Sequence, residues 1–420
     1  MRIRETRPSA AGFTLVELLV ALVLSLLLGV AMLKMQGSLA QQTVRTVDSG
    51  VRDEQWRVAV DTLTRSVSSA GFLLGGTQKP CNEMFTFNSG AGSTSKFFTH
   101  HAVDSATAST GLKLQYATGL TLNYPPSGST MPSDVLAVTA SNDATGFNQG
   151  VSPVVAGFSN AAYTPSSTGL LPVQSTTGLL PDVAVLQVGL SNRIACIRTK
   201  MTLFGTASGS ANITTGGTVT PPGFFNDFAP SLSAAGYPSV TDAAIFQGQI
   251  VDMSPTPSAI TSVYYIDGST FQFPVLMRAD YAFADDTLSG TAQVVAAGVV
   301  SMQVRYGVDP GLTGAVTAYE KASTVTTNNH WDVVRTVNIL LVSRSLKDDN
   351  SRAADGTTTY TAPAITIPTL AGGASTDQFA AVPILTTPTD FSKRHYAVNQ
   401  FEIAERNVLW NCAFSTVCVP

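Results

Sequence analysis

Gly12-Phe13-Thr14-Leu15-Val16-Glu17-Leu18-Leu19, continuing through Val20-Ala21-Leu22-Val23-Leu24-Ser25-Leu26-Leu27-Leu28-Gly29-Val30-Ala31-Met32-Leu33, is the stretch on which the reading of this 420-residue chain turns. From Phe13 to Leu33 it is apolar except at Thr14, Glu17 and Ser25. That is about the 20 residues a helix needs to cross ~30 Å of hydrocarbon. Ahead of it, Met1 to Gly12 carries Arg2, Arg4 and Arg7 against one acid, Glu5; behind it only Lys34 follows closely. The positive-inside bias then keeps the N-terminus in the cytoplasm and exports residues 34 onward through the inner membrane.

Glu17 separates this run from a plain anchor. An acid inside a membrane helix costs roughly 2.5 to 3.5 kcal/mol on insertion scales, so it calls for a partner. A cut between Gly12 and Phe13 would supply one, because the new α-amino group of one subunit can neutralise Glu17 of the next and favour one axial register. Residues Gly12 to Leu19 resemble the class III signal of type IV prepilins and type II secretion pseudopilins. The resemblance implies cleavage by a prepilin peptidase after Gly12, N-methylation of Phe13 and a subunit-registering role for Glu17. Two blander readings remain: a membrane helix with one tolerated acid, and a secretory signal cut after Ser38-Leu39-Ala40. Against the second stand Glu17 and a length beyond the usual apolar region of about 7 to 15 residues.

Beyond the membrane run, Val44, Val47, Val51, Trp56, Val60, Leu63 and Val67 recur at spacings near three and four. This amphipathic pattern predicts that the helix continues to about Ser69 and stops at Ala70-Gly71. Its length would be ~85 Å at ~1.5 Å per residue, so half of it projects outward. Gly29, Gly37 and Gly50 read equally well as bending points or as tolerated helix glycines.

From Phe72 the pattern changes to short alternating segments separated by Gly, Pro, Asn, Asp and Ser, which predicts strands. They fall at Asp134 to Ala140, Val183 to Val188, Ile194 to Phe204, Ser262 to Ile266, Val300 to Val308, Val334 to Ser343 and His395 to Ile403. In the clearest, Val300, Met302, Val304, Tyr306 and Val308 alternate with Ser301, Gln303 and Arg305, the signature of a strand with one buried face. Residues 141–181, 205–240 and 350–390 are rich in Ser, Thr, Gly and Pro and read as surface loops or insertions. The expected fold is α+β and pilin-like: a basic leader (1–12), one long N-terminal helix (13–70, with 13–33 transmembrane), and an exported β-rich head (71–420). A division of the head into two subdomains near residue 245 is the coarsest boundary the sequence suggests.

Ala296-Ala297-Gly298-Val299-Val300-Ser301-Met302-Gln303-Val304-Arg305-Tyr306-Gly307-Val308-Asp309, with Trp331-Asp332-Val333-Val334, Ile339 to Arg344, Ala70-Gly71-Phe72 and Arg406-Asn407, resembles the PilW family of minor pilins. The resemblance implies a subunit that joins other minor pilins and the major pilin, primes pilus assembly, and sits at the pilus tip, beneath a large adhesin. It implies residence in the inner membrane and then in the pilus at the cell surface. Tyr306 and Trp331 read as core.

Cys81, Cys196, Cys412 and Cys418 form an even set, which in an exported head reads as disulfides. Four cysteines permit three pairings; the proximity of Cys412 to Cys418 favours that pair and leaves Cys81 with Cys196. No pair has the two-residue spacing of zinc ligands. His100 and His101 read as surface or satisfied loop residues, and Asp348, Asp349, Asn350 and Asp355-Gly356 as a solvated turn lacking the order of a calcium loop.

The chain has a formal net charge of −4, only 12% charged residues and no Lys/Arg cluster, which argues against nucleic acid as a partner. No nucleophile elbow, phosphate loop or His-Glu-x-x-His pattern occurs, so neither an enzyme nor a cofactor is expected. The leading reading is a minor pilin. The alternatives are a type II secretion pseudopilin, or a membrane-tethered or released surface adhesin, for which Glu17 would be dispensable.

Overall fold

The computed structural model describes residues 14–71, 83–87, 97–107, 133–140, 151–153, 170–173, 183–190, 193–207, 210–215, 249–252, 260–268, 270–271, 273–283, 288–346, 365–382 and 394–404. Its first element is one continuous helix, α1 (Leu15–Ser68), of 54 residues. At ~1.5 Å per residue it is about 80 Å long, with ends close to those the periodicity predicts.

The strands form three sheets. The first has eight: β1 (Glu83–Phe87), β2 (Phe97–His101), β5 (Val151–Pro153), β6 (Leu170–Val173), β7 (Val183–Leu190), β8 (Arg193–Ala207), β9 (Ser210–Thr215) and β10 (Gln249–Asp252). The second has five in the order β13 (Gln293–Ala297), β12 (Val275–Ala282), β11 (Ile260–Asp267), β4 (Asp134–Ala140) and β3 (Val103–Thr107). The third has four in the order β15 (Ala318–Glu320), β14 (Val299–Val308), β16 (Val334–Arg344) and β17 (Tyr396–Ala404). A short helix, α2 (Ala322–Asn328), follows β15. The pairing of β4 with β11 joins residues on either side of position 245.

The second and third sheets share a chain corner at Gly298, between β13 and β14. Its φ is +77°, and a Cβ there would lie 2.6 Å from the carbonyl oxygen of Arg344. Only glycine meets both demands. The helix end is tied to the second sheet: Ser69 caps α1, and the N–H of Gly71, at φ +70°, donates to the Thr139 carbonyl at 2.9 Å.

The third sheet carries the central core. Met302, Val304, Tyr306 and Val308 of β14 lie against Leu341, Ile339, Val337 and Val334 of β16, and all are buried. The expected alternation of a buried with an exposed face fails here. Ser301, Gln303 and Arg305 are buried too, because residues 365–382 lie across the second face as a strap. Within the stretch read as the 350–390 surface loop, Leu370, Phe379 and Val382 therefore join the core. Polar residues tolerate such burial when they are hydrogen-bonded, and Gln303 and Arg305 are. The Gln303 amide donates to the Ala380 carbonyl at 2.9 Å and accepts its N–H at 2.7 Å. Arg305 donates to the carbonyls of Asp377 and Gln378, at 2.7 and 2.8 Å, and its guanidinium lies over the Phe379 ring.

Two other stretches read as loops contain strands, β5 and β6 within 141–181 and β9 within 205–240. His101 is likewise no surface residue. It is buried at the end of β2, stacked on Trp331 with ring centroids 3.6 Å apart, and its Nδ1 lies 2.6 Å from Asp104. Tyr306 and Trp331 are core residues as expected, meeting edge to face. The Asp348-Asp349-Asn350 and Asp355-Gly356 turn lies outside the described residues.

Candidate functional site

The feature that can act on other molecules is α1 itself, and its two halves behave differently. The run Leu15–Ala40 is apolar, 26 residues long, and not buried within the chain. Leu15 is 78% exposed and Leu33 69%, so the helix offers a full turn of aliphatic side chains to its surroundings. Such a surface is stable in hydrocarbon or against other helices.

At its start Thr14 is the N-cap, with extended backbone, and its hydroxyl accepts the Glu17 N–H at 3.3 Å. The Glu17 carboxylate reaches back to the Thr14 N–H and hydroxyl, each at 3.1 Å. This is a capping box, and it satisfies two backbone donors that a helix start leaves open. Glu17 thus has two tasks at once: it closes its own helix and presents an exposed carboxylate on the first turn. Thr14-Leu15-Val16-Glu17 has the Ser/Thr-x-x-Glu spacing of such a box, a signal in the sequence separate from the charge of Glu17. Gly12 and Phe13 lie outside the described residues.

The outer half of α1 is seated on the head. Ala59, Leu63 and Val67, four residues apart, are fully buried, and each large aliphatic side chain so placed contributes about 1.5 to 3 kcal/mol. Polar contacts flank this stripe. The Ala297 N–H at the end of β13 donates to Gln55 Oε1 at 2.9 Å, closing part of a sheet edge. The Ser66 hydroxyl meets the buried Tyr264 hydroxyl. With its amide oxygen turned toward the helix, Asn399 of β17 accepts from Trp56 Nε1 at 3.0 Å. Trp56 carries only the signal of a helix position in the sequence, and Gln55 and Ser66 carry none, because their partners are about 200 residues or more away.

Gly29, Gly37 and Gly50 have open space where a Cβ would be. Packing within the subunit therefore does not require glycine at any of the three.

Of the four cysteines, Cys196 is described: it is fully buried in β8 and disulfide-bonded. Its neighbour in register is Met84 on the parallel strand β1. Cys81, Cys412 and Cys418 lie outside the described residues.

The comparisons with known proteins meet the two ends of this arrangement. Residues 263–404 match the family model described as Type IV Pilus-assembly protein W, a span that runs from β11 through β17 and includes α2 and the strap. Residues 7–33 match the prokaryotic N-terminal methylation motif, which spans the capping box and most of the membrane-length run. No curated protein and no solved structure matches the chain. A signal of this kind on an unburied apolar helix anchors the chain in a membrane and associates it with a pilus, in a pilin-like role. With a processing signal at its start and the PilW match through its central sheet, the chain is a PilW-like prepilin of the class III type.

Proposed function

We propose that this chain is a type IV pilus minor pilin that takes part in priming pilus assembly and sits at the pilus tip with other minor pilins. Its basic leader, residues 1–12, is removed by the prepilin peptidase between Gly12 and Phe13. Phe13 then carries the N-methylated terminus. The helix over residues 13–70 holds the subunit in the inner membrane with its N-terminus cytoplasmic, and the head from residue 71 is periplasmic until the subunit enters a filament with the major pilin. A large tip adhesin is the remaining partner of this reading.

One observation carries the proposal: the Glu17 carboxylate stands exposed on the first turn of an otherwise apolar helix whose surface the subunit itself leaves uncovered. In hydrocarbon such a charge persists only beside an opposite one. The α-amino group released at Phe13 of a neighbouring subunit is the nearest chemistry that supplies it.

Glu17→Gln is the decisive variant. It preserves an acceptor for the Thr14 N–H and hydroxyl, so the helix start survives, but it removes the charge. We expect Glu17→Gln to be processed and to fold, yet to fail in incorporation and priming. Normal piliation with Glu17→Gln, or a mature N-terminus anywhere but Phe13 by intact mass, would overturn the reading.

A further inference from the structure

Among the described residues the strap and the first sheet do not pair directly, yet a line of specific contacts joins them. Asp377 sits within the strap, 2% exposed, and its Oδ1 accepts the Lys321 N–H at 3.2 Å and the Thr324 hydroxyl at 2.7 Å. Lys321 is the N-cap residue of α2 and provides no side-chain cap of its own. Asp377 therefore caps α2 from 53 residues away in sequence. One turn on, the Thr326 hydroxyl accepts the indole N–H of Trp331 at 3.0 Å. Trp331 stacks on His101. His101 ends β2 of the first sheet, and Val103 begins β3 of the second, with only Ala102 between them.

We propose that residues 365–382 form a latch. When seated, they fix α2 through Asp377, α2 fixes the Trp331 ring, and the ring holds the corner from which the first sheet leaves the pilin core. The strap's hold on β14 combines the paired bonds of Gln303 with Ala380, the bonds of Arg305 and the burial of Leu370, Phe379 and Val382, contacts that reinforce one another. Releasing it would loosen the β1–β2 end of the first sheet while the third sheet keeps its β14–β16 pairing. A contact made on the strap face of the head would thus be felt at a surface built by a different sheet. Such coupling would run through the contacts the two regions share, α2 and the Trp331 ring.

Hydrogen exchange on the full-length protein in detergent tests this. Asp377→Ala removes the acceptor, and exchange should rise about tenfold, the size of one lost buried hydrogen bond, in residues 321–328 and also in 97–101. Asp377→Asn, which still offers an oxygen, should restore both segments. In a Trp331→Phe background, which lacks the bond to Thr326, Asp377→Ala should no longer change exchange in 97–101. The proposal is overturned if 321–328 loosens while 97–101 does not, if β16 loosens by the same factor, or if the Trp331→Phe background leaves the response intact.

Discussion

The carboxylate of Asp134 accepts the backbone N–H of Val304 at 2.8 Å, across 170 residues of sequence. β15 covers only Tyr306 to Val308 of β14, so the open flank of β14 ahead of that pairing is left to others. Ser133 and Asp134, at the start of β4, take the N–H groups of Met302 and Val304 there. A sheet edge that would otherwise offer a template for another strand is closed by side chains of the neighbouring sheet. Arg305, paired with Asp134 at 3.5 Å, links this edge closure to the strap.

Two carboxylates beside β14, Asp134 at the start of β4 and Asp309 just past the end of β14, respond to acid with opposite sign. Burial pushes Asp134 above its ordinary value of 3.8, against the pull of the Val304 N–H and the Arg305 charge. The folded state then binds the proton more readily, so this group adds stability fully below pH 3.8 and loses it as pH rises through its folded value. Burial also pushes Asp309 up, but the Thr313 and Gly314 N–H groups, the Thr313 hydroxyl and Arg335 outweigh it and leave it lowered. Its contribution is present above pH 3.8 and lost as pH falls through the lower folded value. Asp309→Asn should cost about 1 to 3 kcal/mol near neutrality and converge on the parent in acid. Asp134→Asn, which stands in for the protonated acid, should instead be the more stable chain near neutrality and likewise converge on the parent in acid. Thermal unfolding across that range measures both.

Two glycines should respond to alanine in opposite directions. Gly298→Ala forces a side chain into φ +77° and against the Arg344 carbonyl, and should cost about 1 to 3 kcal/mol or more. Gly37→Ala meets nothing and removes a poor helix former, so the isolated subunit should gain up to about 1 kcal/mol of helix stability. Melting temperatures of the two purified variants decide. If Gly37→Ala nevertheless impairs incorporation, glycine is needed in the filament and not in the subunit.

The seat of the helix rests on Leu63. Leu63→Ala leaves a cavity between α1 and the head and should destabilise by about 2 to 5 kcal/mol. Val47→Ala, on a 57% exposed position of the same helix, should change little. Denaturant midpoints of the two variants compare a packed position with an open one.

The disulfide partner of Cys196 is open to direct reading. Cys196, opposite Met84 of β1, is disulfide-bonded, and the pairing expected from the cysteine spacing names Cys81 as its partner. Non-reducing peptide mapping should join these two and, separately, Cys412 with Cys418. A peptide linking Cys196 to either C-terminal cysteine would refute the pairing.

Local sequence carried the helix and most long strands. The apolar run and its amphipathic continuation predict α1 to within two residues at either end, because membrane thickness and helical periodicity act along one segment. Asp134 to Ala140 coincides with β4, and Val300 to Val308 with all but the first residue of β14, because alternation is also a local property. The N-terminal methylation motif over residues 7–33 is local in the same sense, a linear pattern that depends on no distant residue.

What tertiary structure alone decided is which polar residues are inside. Ser301, Gln303 and Arg305 carry the pattern of a solvent face, and nothing within ten residues of them says that a strap from 365–382 will cover it. His101 looks like a loop residue until Trp331, 230 positions on, is laid against it. Burial of a polar group depends on whether a distant segment brings matching donors and acceptors, and that information lies in the pairing of two segments, not in either one.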